Sequence, residues 1–321
     1  VILHGVTPSQ GSKKEAALPH KLRFSVIVGP NVPWPEFLRR CRQVEELGFD
    51  AISFADHFTD WTGKRGPWLE LWSQVSAIAM ATMHIRLATL VAQIPLRNPA
   101  MLALQALTVD HISGGRLDLG LGTGLEVDPS YRMMGIENWS AKERVARFGE
   151  YVEIVSQLLS REEFSYQGHH YHVDAAAISP RPVQSPRPPI LIAAMGPVML
   201  GHAARYADVW NSMSFAKTFE AQLEETRQRI AAMDARCAVI GRDQADLRRS
   251  YLMFDPTARY GGGVIVYYES EEIFTQMVQQ VIALGISEVV LYYPLLERQI
   301  PMLERIARDV IPKLKAAHPA L

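Results

Sequence analysis

Two hydrophobic rhythms alternate along this chain. Short, almost wholly apolar runs are separated by stretches in which apolar residues recur every three or four positions, the patterns of buried strands and amphipathic helices. Phe37, Leu38, Cys41, Val44 and Leu47 keep the helical spacing, and Gly48 is suited to the left-handed conformation that closes a helix. Ala51–Ala55 then reads as a strand. The same grammar predicts strands at Leu22–Val28, Ile85–Ala92, Arg116–Gly120, Pro189–Ala194, Ala207–Trp210, Arg249–Phe254 and Glu288–Tyr292. Met101–Ile112 is a helix closed by Gly114-Gly115, and Leu284-Gly285-Ile286 repeats the earlier stop before the last strand. Eight strands with intervening helices predict an α/β fold, a single (β/α)8 TIM barrel. The competing doubly wound sheet lacks its phosphate fingerprint, because Gly29-Pro30-Asn31 is not a GxGxxG turn.

The segment between the fourth and fifth strands, about 125–188, is too long for a simple crossover. A helix at about 142–159 and a hairpin around 164–173 make it an insertion on the catalytic face. Pro180, Pro182, Pro186 and Pro188 lead into the fifth strand and cannot lie in a central strand themselves. The expected organisation is an N-terminal extension, 1–21, followed by one barrel over 22–321. Composition narrows the partners. Lys plus Arg (33) nearly equal Asp plus Glu (34), so no basic field favours nucleic acid. No apolar run approaches the roughly 18 residues of a membrane span. Residues 1–21 lack the compact apolar stretch of a signal peptide. Cys41 and Cys237 have no CxxC spacing, and Cys41 falls on the apolar face of its helix, so a core role in a reducing cytoplasm is expected.

Candidate chemistry gathers where strands end. Ser53-Phe54-Ala55-Asp56-His57-Phe58 is an apolar strand that runs into an acid and an imidazole, at the end where α/β barrels carry their chemistry. The plainer alternative is a helix-capping Asp56 and a half-buried His57. Gly120-Leu121-Gly122-Thr123-Gly124 admits either close backbone approach to an anion or a tight barrel corner. Ile192-Ala193-Ala194-Met195-Gly196-Pro197 opens a helix whose first amides suit a phosphate or carboxylate. Trp61, Trp210-Asn211 and Tyr292-Tyr293 are candidate walls for a planar ring. Gly168-His169-His170-Tyr171-His172 has no carboxylate cluster tied to it, so no metal is expected. Arg144, Arg147 and Glu150 read as the solvated face of a long helix. GxSxG, HExxH and Walker motifs are missing.

In combination, Asp56-His57-Phe58 with Trp61, the Asp110-His111-Ile112-Ser113-Gly114-Gly115-Arg116-Leu117 run into Gly120–Gly124, Pro182-Val183-Gln184, and Ala204-Arg205-Tyr206-Ala207-Asp208-Val209-Trp210-Asn211 resemble the bacterial luciferase-like superfamily over about 22–315. The resemblance implies a (β/α)8 barrel with an insertion, and one of two chemistries. Asp-His-Phe-x-x-Trp and Ala-Ala-x-Gly-Pro look more like the branch that uses the deazaflavin coenzyme F420. That branch implies hydride transfer with a small organic substrate: an alcohol, carbonyl, imine or activated alkene. The alternatives are an FMN-dependent monooxygenase using reduced flavin and oxygen, and a non-catalytic flavin-binding barrel. By the resemblance, His57 is the active-site base or oxyanion stabiliser, Asp56 contacts the coenzyme, and Trp61 lines the substrate pocket. Thr123, Gly124, Ala194, Met195, Gly196 and Pro197 hold ring edge, phosphate and tail. The Thr89-Leu90 bond sits where the branch has a non-proline cis peptide. The branch places an acid directly after Gly-Thr-Gly; here Leu125 intervenes, and Glu126 is the candidate proton donor. The loop after the seventh strand, Tyr260–Gly263, is short, and Lys217 alone makes no sugar-phosphate cluster. The apolar residues Leu69, Leu71, Trp72 and Val75 are a candidate partner face; the resemblance implies a homodimer and a flavin or F420 reductase as redox supplier.

Overall fold

A computed structural model describes residues 18–256, 258 and 262–320. Most of the 1–21 extension lies outside that range, as do Tyr260 and Gly261 of the loop after the seventh strand. Eight parallel strands close on themselves: β1 (Arg23–Ile27), β2 (Ala51–Phe54), β3 (Arg86–Thr89), β5 (Leu117–Gly122), β8 (Ile190–Ala193), β9 (Val209–Ser212), β10 (Arg248–Leu252) and β11 (Glu288–Tyr292). β1 pairs with β2 and β11, and pairing of β3 with β5 completes the ring. A two-residue strand, β4 (Ala92–Gln93), follows β3 and pairs with the far end of β5.

The barrel forms because each strand offers two unlike faces. In β1, Phe24 and Val26 join the large core packed under the helices, whereas Ser25 donates to Glu288 (2.8 Å) on the neighbouring strand. Ile27, Leu90, Leu191, Val209, Leu252 and Val290 form a separate small apolar cluster, contributed from around the ring. Helix α1 (Trp34–Glu46) buries Phe37, Cys41 and Val44 completely and stops at Gly48, where φ is +78°. Full burial of Phe37 or Val44 stabilises by about 1.5–3 kcal/mol each. At the strands' amino ends, Asp118 accepts from Arg23 (2.9 Å) and Arg86 (3.0 Å), a buried charge cluster well removed along the strands from Asp56 and His57. Much of the family-like sequence proves to be framework. Asp110, on helix α3 (Pro99–Ser113), accepts from Val183 N (2.8 Å), Gln184 N (3.1 Å) and Gln184 Nε2 (2.8 Å), pinning the approach to β8.

The insertion between β5 and β8 holds helices α4 (Ser130–Met134) and α5 (Ala141–Ser160) and an antiparallel hairpin of β6 (Phe164–Gln167) and β7 (His172–Ala176). Its polar residues differ from the expected solvated face. Arg144 is buried, and Glu150 accepts from the backbone amides of His169 (2.9 Å), His170 (2.9 Å) and Tyr171 (3.0 Å), clamping the hairpin. The apolar face of helix α2 (Leu71–Ala81) is also internal: Leu71, Trp72 and Val75 pack in this chain's own core and leave no partner face at those positions. No helix among the described residues is long and apolar enough to cross a membrane.

Candidate active site

At the carboxyl ends of the strands a cleft of about 1350 Å³, its open mouth included, is lined by residues from most of the barrel loops. Its apolar floor includes Ile27, Leu90 and Leu252 from the small cluster. β2 ends at Phe54, and two residues later the chain delivers Asp56 and His57 in opposite roles. His57 lines the cleft, with Trp68 edge-on at 5.7 Å. Asp56 does not. It is buried, paired with Arg97, and accepts from Gln93 N (3.0 Å). An ion pair this buried holds both partners in place, so the expected coenzyme contact at Asp56 gives way to an anchoring role.

The acid that serves His57 comes from the insertion. Asp128 Oδ2 lies 2.6 Å from His57 Nδ1, and the Asp128 side chain is fully buried. Burial alone would raise its carboxyl, but the hydrogen bond from His57, the imidazole's charge and Ser130 outweigh that and hold it at about 2. The carboxylate also accepts from Ser130 N (2.9 Å), so its two oxygens are oriented. An ionised carboxylate only accepts, so Nδ1 must carry a proton, and in the neutral imidazole the lone pair is then on Nε2. Nε2 has no hydrogen-bond partner among the described residues.

A second layer fixes that tautomer. Gln93, in β4, places its amide nitrogen against Asp56 O, Asp128 Oδ2 (3.2 Å) and His57 Nδ1 (3.0 Å). Its two protons are satisfied by the two oxygens, which leaves Nδ1 as a donor. Tyr131 donates to Gln93 Oε1 and so decides which way the amide faces. Burial pushes the Tyr131 hydroxyl up to about 12, against the pull of Arg144, so it stays a donor. Arg144 in turn donates to Tyr131 Oη (3.3 Å) and Thr123 O (2.8 Å). Gly124 is required in this lattice. At φ +72°, an added Cβ would run into Tyr131 Oη and Gln93 Oε1. The other glycines of that run also answer to protein atoms: a Cβ at Gly120 would meet Thr89 O, and one at Gly122 would meet Val91. They favour the tight-corner reading over an anion cradle.

Several expected site residues fall elsewhere. Glu126 is exposed and outside the cleft lining, because the Leu125–Asp128 turn carries it outward and brings Asp128 in. Thr89 is wholly buried and bonds Gly120, while Leu90 lines the cleft. The cis peptide is Leu90–Val91, one bond beyond the expected Thr89–Leu90, since Leu90 N still donates to Phe54 O (2.7 Å) in strand register. Trp210 is fully buried and not a pocket wall; its Nε1 donates to Ala194 O (2.9 Å) and braces that loop from behind. Trp61, Thr123, Gly124, Ala194 and Met195 line the cleft. Gly196 and Pro197 lie just outside it, opening helix α6 (Pro197–Tyr206), whose N-terminus has no side-chain cap. No group of three or more metal-ligating side chains occurs among the described residues.

Comparisons with known proteins agree on the fold. An F420-dependent secondary alcohol dehydrogenase in complex with an F420-acetone adduct superposes with a TM-score of 0.75 at 18% identity, covering 91% of this chain and 99% of that one. A riboflavin lyase with modified FMN superposes at 0.73 and 13% identity, covering 94% and 93%. Among curated proteins, the F420-dependent glucose-6-phosphate dehydrogenase of Amycolatopsis mediterranei is 34% identical over 169 residues, 52% of this chain and 49% of that protein. That of Segniliparus rotundus is 33% identical over 196 residues, 60% and 56%. The chain thus spans about half the length of the curated relatives it matches. The sequence profile described as luciferase-like monooxygenase matches residues 15–283, which include every strand of the ring but the last, His57 and the whole Asp128 lattice; the chain therefore belongs to the luciferase-like monooxygenase family of barrel oxidoreductases.

Proposed function

We propose that this chain is an F420-dependent oxidoreductase acting on an alcohol–carbonyl couple, with His57 Nε2 as the proton acceptor in one direction and, once protonated, the donor in the other. The observation that carries the reading is the 2.6 Å contact from His57 Nδ1 to a fully buried carboxylate, made beside an apolar cleft. The cleft suits a flat, mostly apolar ring. Its floor is Ile27, Leu90 and Leu252, and Val91, Thr123, Gly124, Ala194 and Met195 are at hand for the ring edge. The uncapped start of α6 beside Met195 offers free amides to an anionic tail. When bound, the deazaflavin supplies two-electron hydride chemistry without useful activation of oxygen. The protein's own part is proton handling and orientation. Nε2 takes a hydroxyl proton, and the Asp128 carboxylate stabilises the imidazolium that results. The F420-dependent relatives support the choice of coenzyme.

The test is a fluorescence titration with F420 and, separately, with FMN. Tight F420 binding and weak FMN binding are expected; the reverse overturns the coenzyme assignment in favour of oxygen-dependent chemistry. His57→Ala should then lower turnover by about 10²–10⁴-fold with little change in coenzyme affinity. Equal losses in both would remove His57 from proton transfer. The relatives' names carry two substrate classes, a sugar phosphate and a secondary alcohol.

A further inference from the structure

Part of the cleft lining is a wall of rings. Phe254, just past β10 and almost completely buried, sits among Trp61 (6.4 Å between centroids), Phe215 (5.3 Å) and Tyr292 (6.3 Å). Met213 and Leu295 extend this surface. Phe215 and Leu295 remain 43% and 39% exposed, large apolar side chains left uncovered where the cleft opens. Such exposure beside a concave site marks a surface meant to be covered by a ligand.

Positive charge is scarce on the same lining. Arg40 is the only lysine or arginine among the described residues that line the cleft. Its Nε donates to Glu36 (2.7 Å), and its guanidinium stacks on Tyr293 at 5.0 Å. It shares the Glu36 carboxylate with Arg39, and its guanidinium is packed against the Tyr293 ring. A phosphate monoester carries about −1.5 to −2 charges at pH 7 and would leave water for aromatic faces and an arginine already paired. Burying such a charge without partners is strongly unfavourable.

We infer that the substrate is an uncharged, predominantly hydrocarbon alcohol or carbonyl compound, which lays its apolar part on the Trp61–Phe254–Phe215–Tyr292 wall and presents its oxygen to His57. Among the described residues, the lining offers a phosphate no cation but Arg40, which counts against a sugar phosphate. The inference rests on the hydride-transfer reading for its oxygen and on the wall alone for its hydrocarbon.

The F420-loaded protein would be assayed with 2-propanol, 2-butanol, 2-pentanol and 2-hexanol, and with glucose 6-phosphate, by the change in coenzyme absorbance. Each added methylene should raise kcat/KM by about two- to fourfold, as burial of a CH₂ group predicts, and glucose 6-phosphate should not turn over. Phe215→Ser, at a position exposed enough to spare the fold, should flatten the series while the F420 titration stays unchanged. A flat wild-type series, or turnover of glucose 6-phosphate above that of 2-hexanol, overturns the inference. If the titration shows FMN and not F420, the proposed function fails separately. The wall is then tested by calorimetric binding of the matching 2-alkanones to the FMN-loaded protein: a ladder of affinities sustains it, and no ladder overturns it.

Discussion

Asp128→Asn isolates the link between the insertion and the reacting group, because it changes charge and hydrogen-bonding capacity while keeping shape. In the native site, Oδ1 accepts from Ser130 N at 2.9 Å, and Oδ2 faces both His57 Nδ1 at 2.6 Å and Gln93 Nε2 at 3.2 Å. An asparagine that keeps its oxygen toward Ser130 turns an NH₂ group toward His57 and Gln93. Two donors then face each other at Gln93, and Nδ1 is forced to accept. The imidazole proton moves to Nε2, where the lone pair is needed. Turning the amide over restores the contact with His57 but sets NH₂ against Ser130 N. Either arrangement loses a buried, charge-assisted bond, and about 1–3 kcal/mol of stability with it. The wrong tautomer removes proton acceptance, a loss of about 10²–10⁴-fold in kcat/KM. The coenzyme dissociation constant should stay within about threefold, under 1 kcal/mol, because Asp128 is not part of the cleft lining. The assays are coenzyme fluorescence for binding, steady-state turnover with a 2-alkanol, and urea unfolding for stability. A folded Asp128→Asn protein with kcat/KM within threefold of wild type would refute control of His57 through Nδ1.

Other outcomes follow from the same contacts. Gly124→Ala should destabilise by about 1–3 kcal/mol, and more where the Tyr131–Gln93 contact cannot yield, read as a lower urea midpoint together with reduced turnover. Asp128 titrates at about 2 in the folded protein against an ordinary aspartate value of 3.8, so its contribution is fully present above pH 4 and fades as pH falls through that window toward 2. The gap in stability between wild type and Asp128→Asn should therefore narrow as pH falls from 4 to 2, and a gap constant over that range would contradict the assignment. Glu150→Gln sets an NH₂ group against the amides of the 169–171 turn, and should raise cleavage there in limited proteolysis while leaving the global unfolding midpoint within about 1 kcal/mol.

The barrel was legible because its cause is local. An apolar run that ends at Phe54, and glycines that can take positive φ at 48, 114 and 285, are readable residue by residue. His57 was legible for the same reason: it directly follows a buried apolar run, at the end of the strand where the cleft opens. Which member of the pair faces the cleft was not legible, since the answer lies in Arg97, 41 residues further on. Gln93 and Asp128 stand 36 and 71 residues from His57. The available signals were slight: a lone glutamine closing the apolar run at 85–92, and an Asp-Pro-Ser turn after Gly124. Glu126 drew attention through its spacing from the glycines, but turn geometry decides which acid points inward.

By itself the sequence determined the architecture and placed His57 at the strand ends where the cleft opens, because periodicity, helix stops and strand termini act over a few residues. The tertiary structure alone decided which acid pairs with that histidine, which of its two nitrogens makes the pair, and that Asp56 and Trp210 are braces. Those outcomes depend on side chains from β2, β4 and the insertion meeting in a space too small for a Cβ on Gly124, and no local pattern encodes where separate segments come to rest.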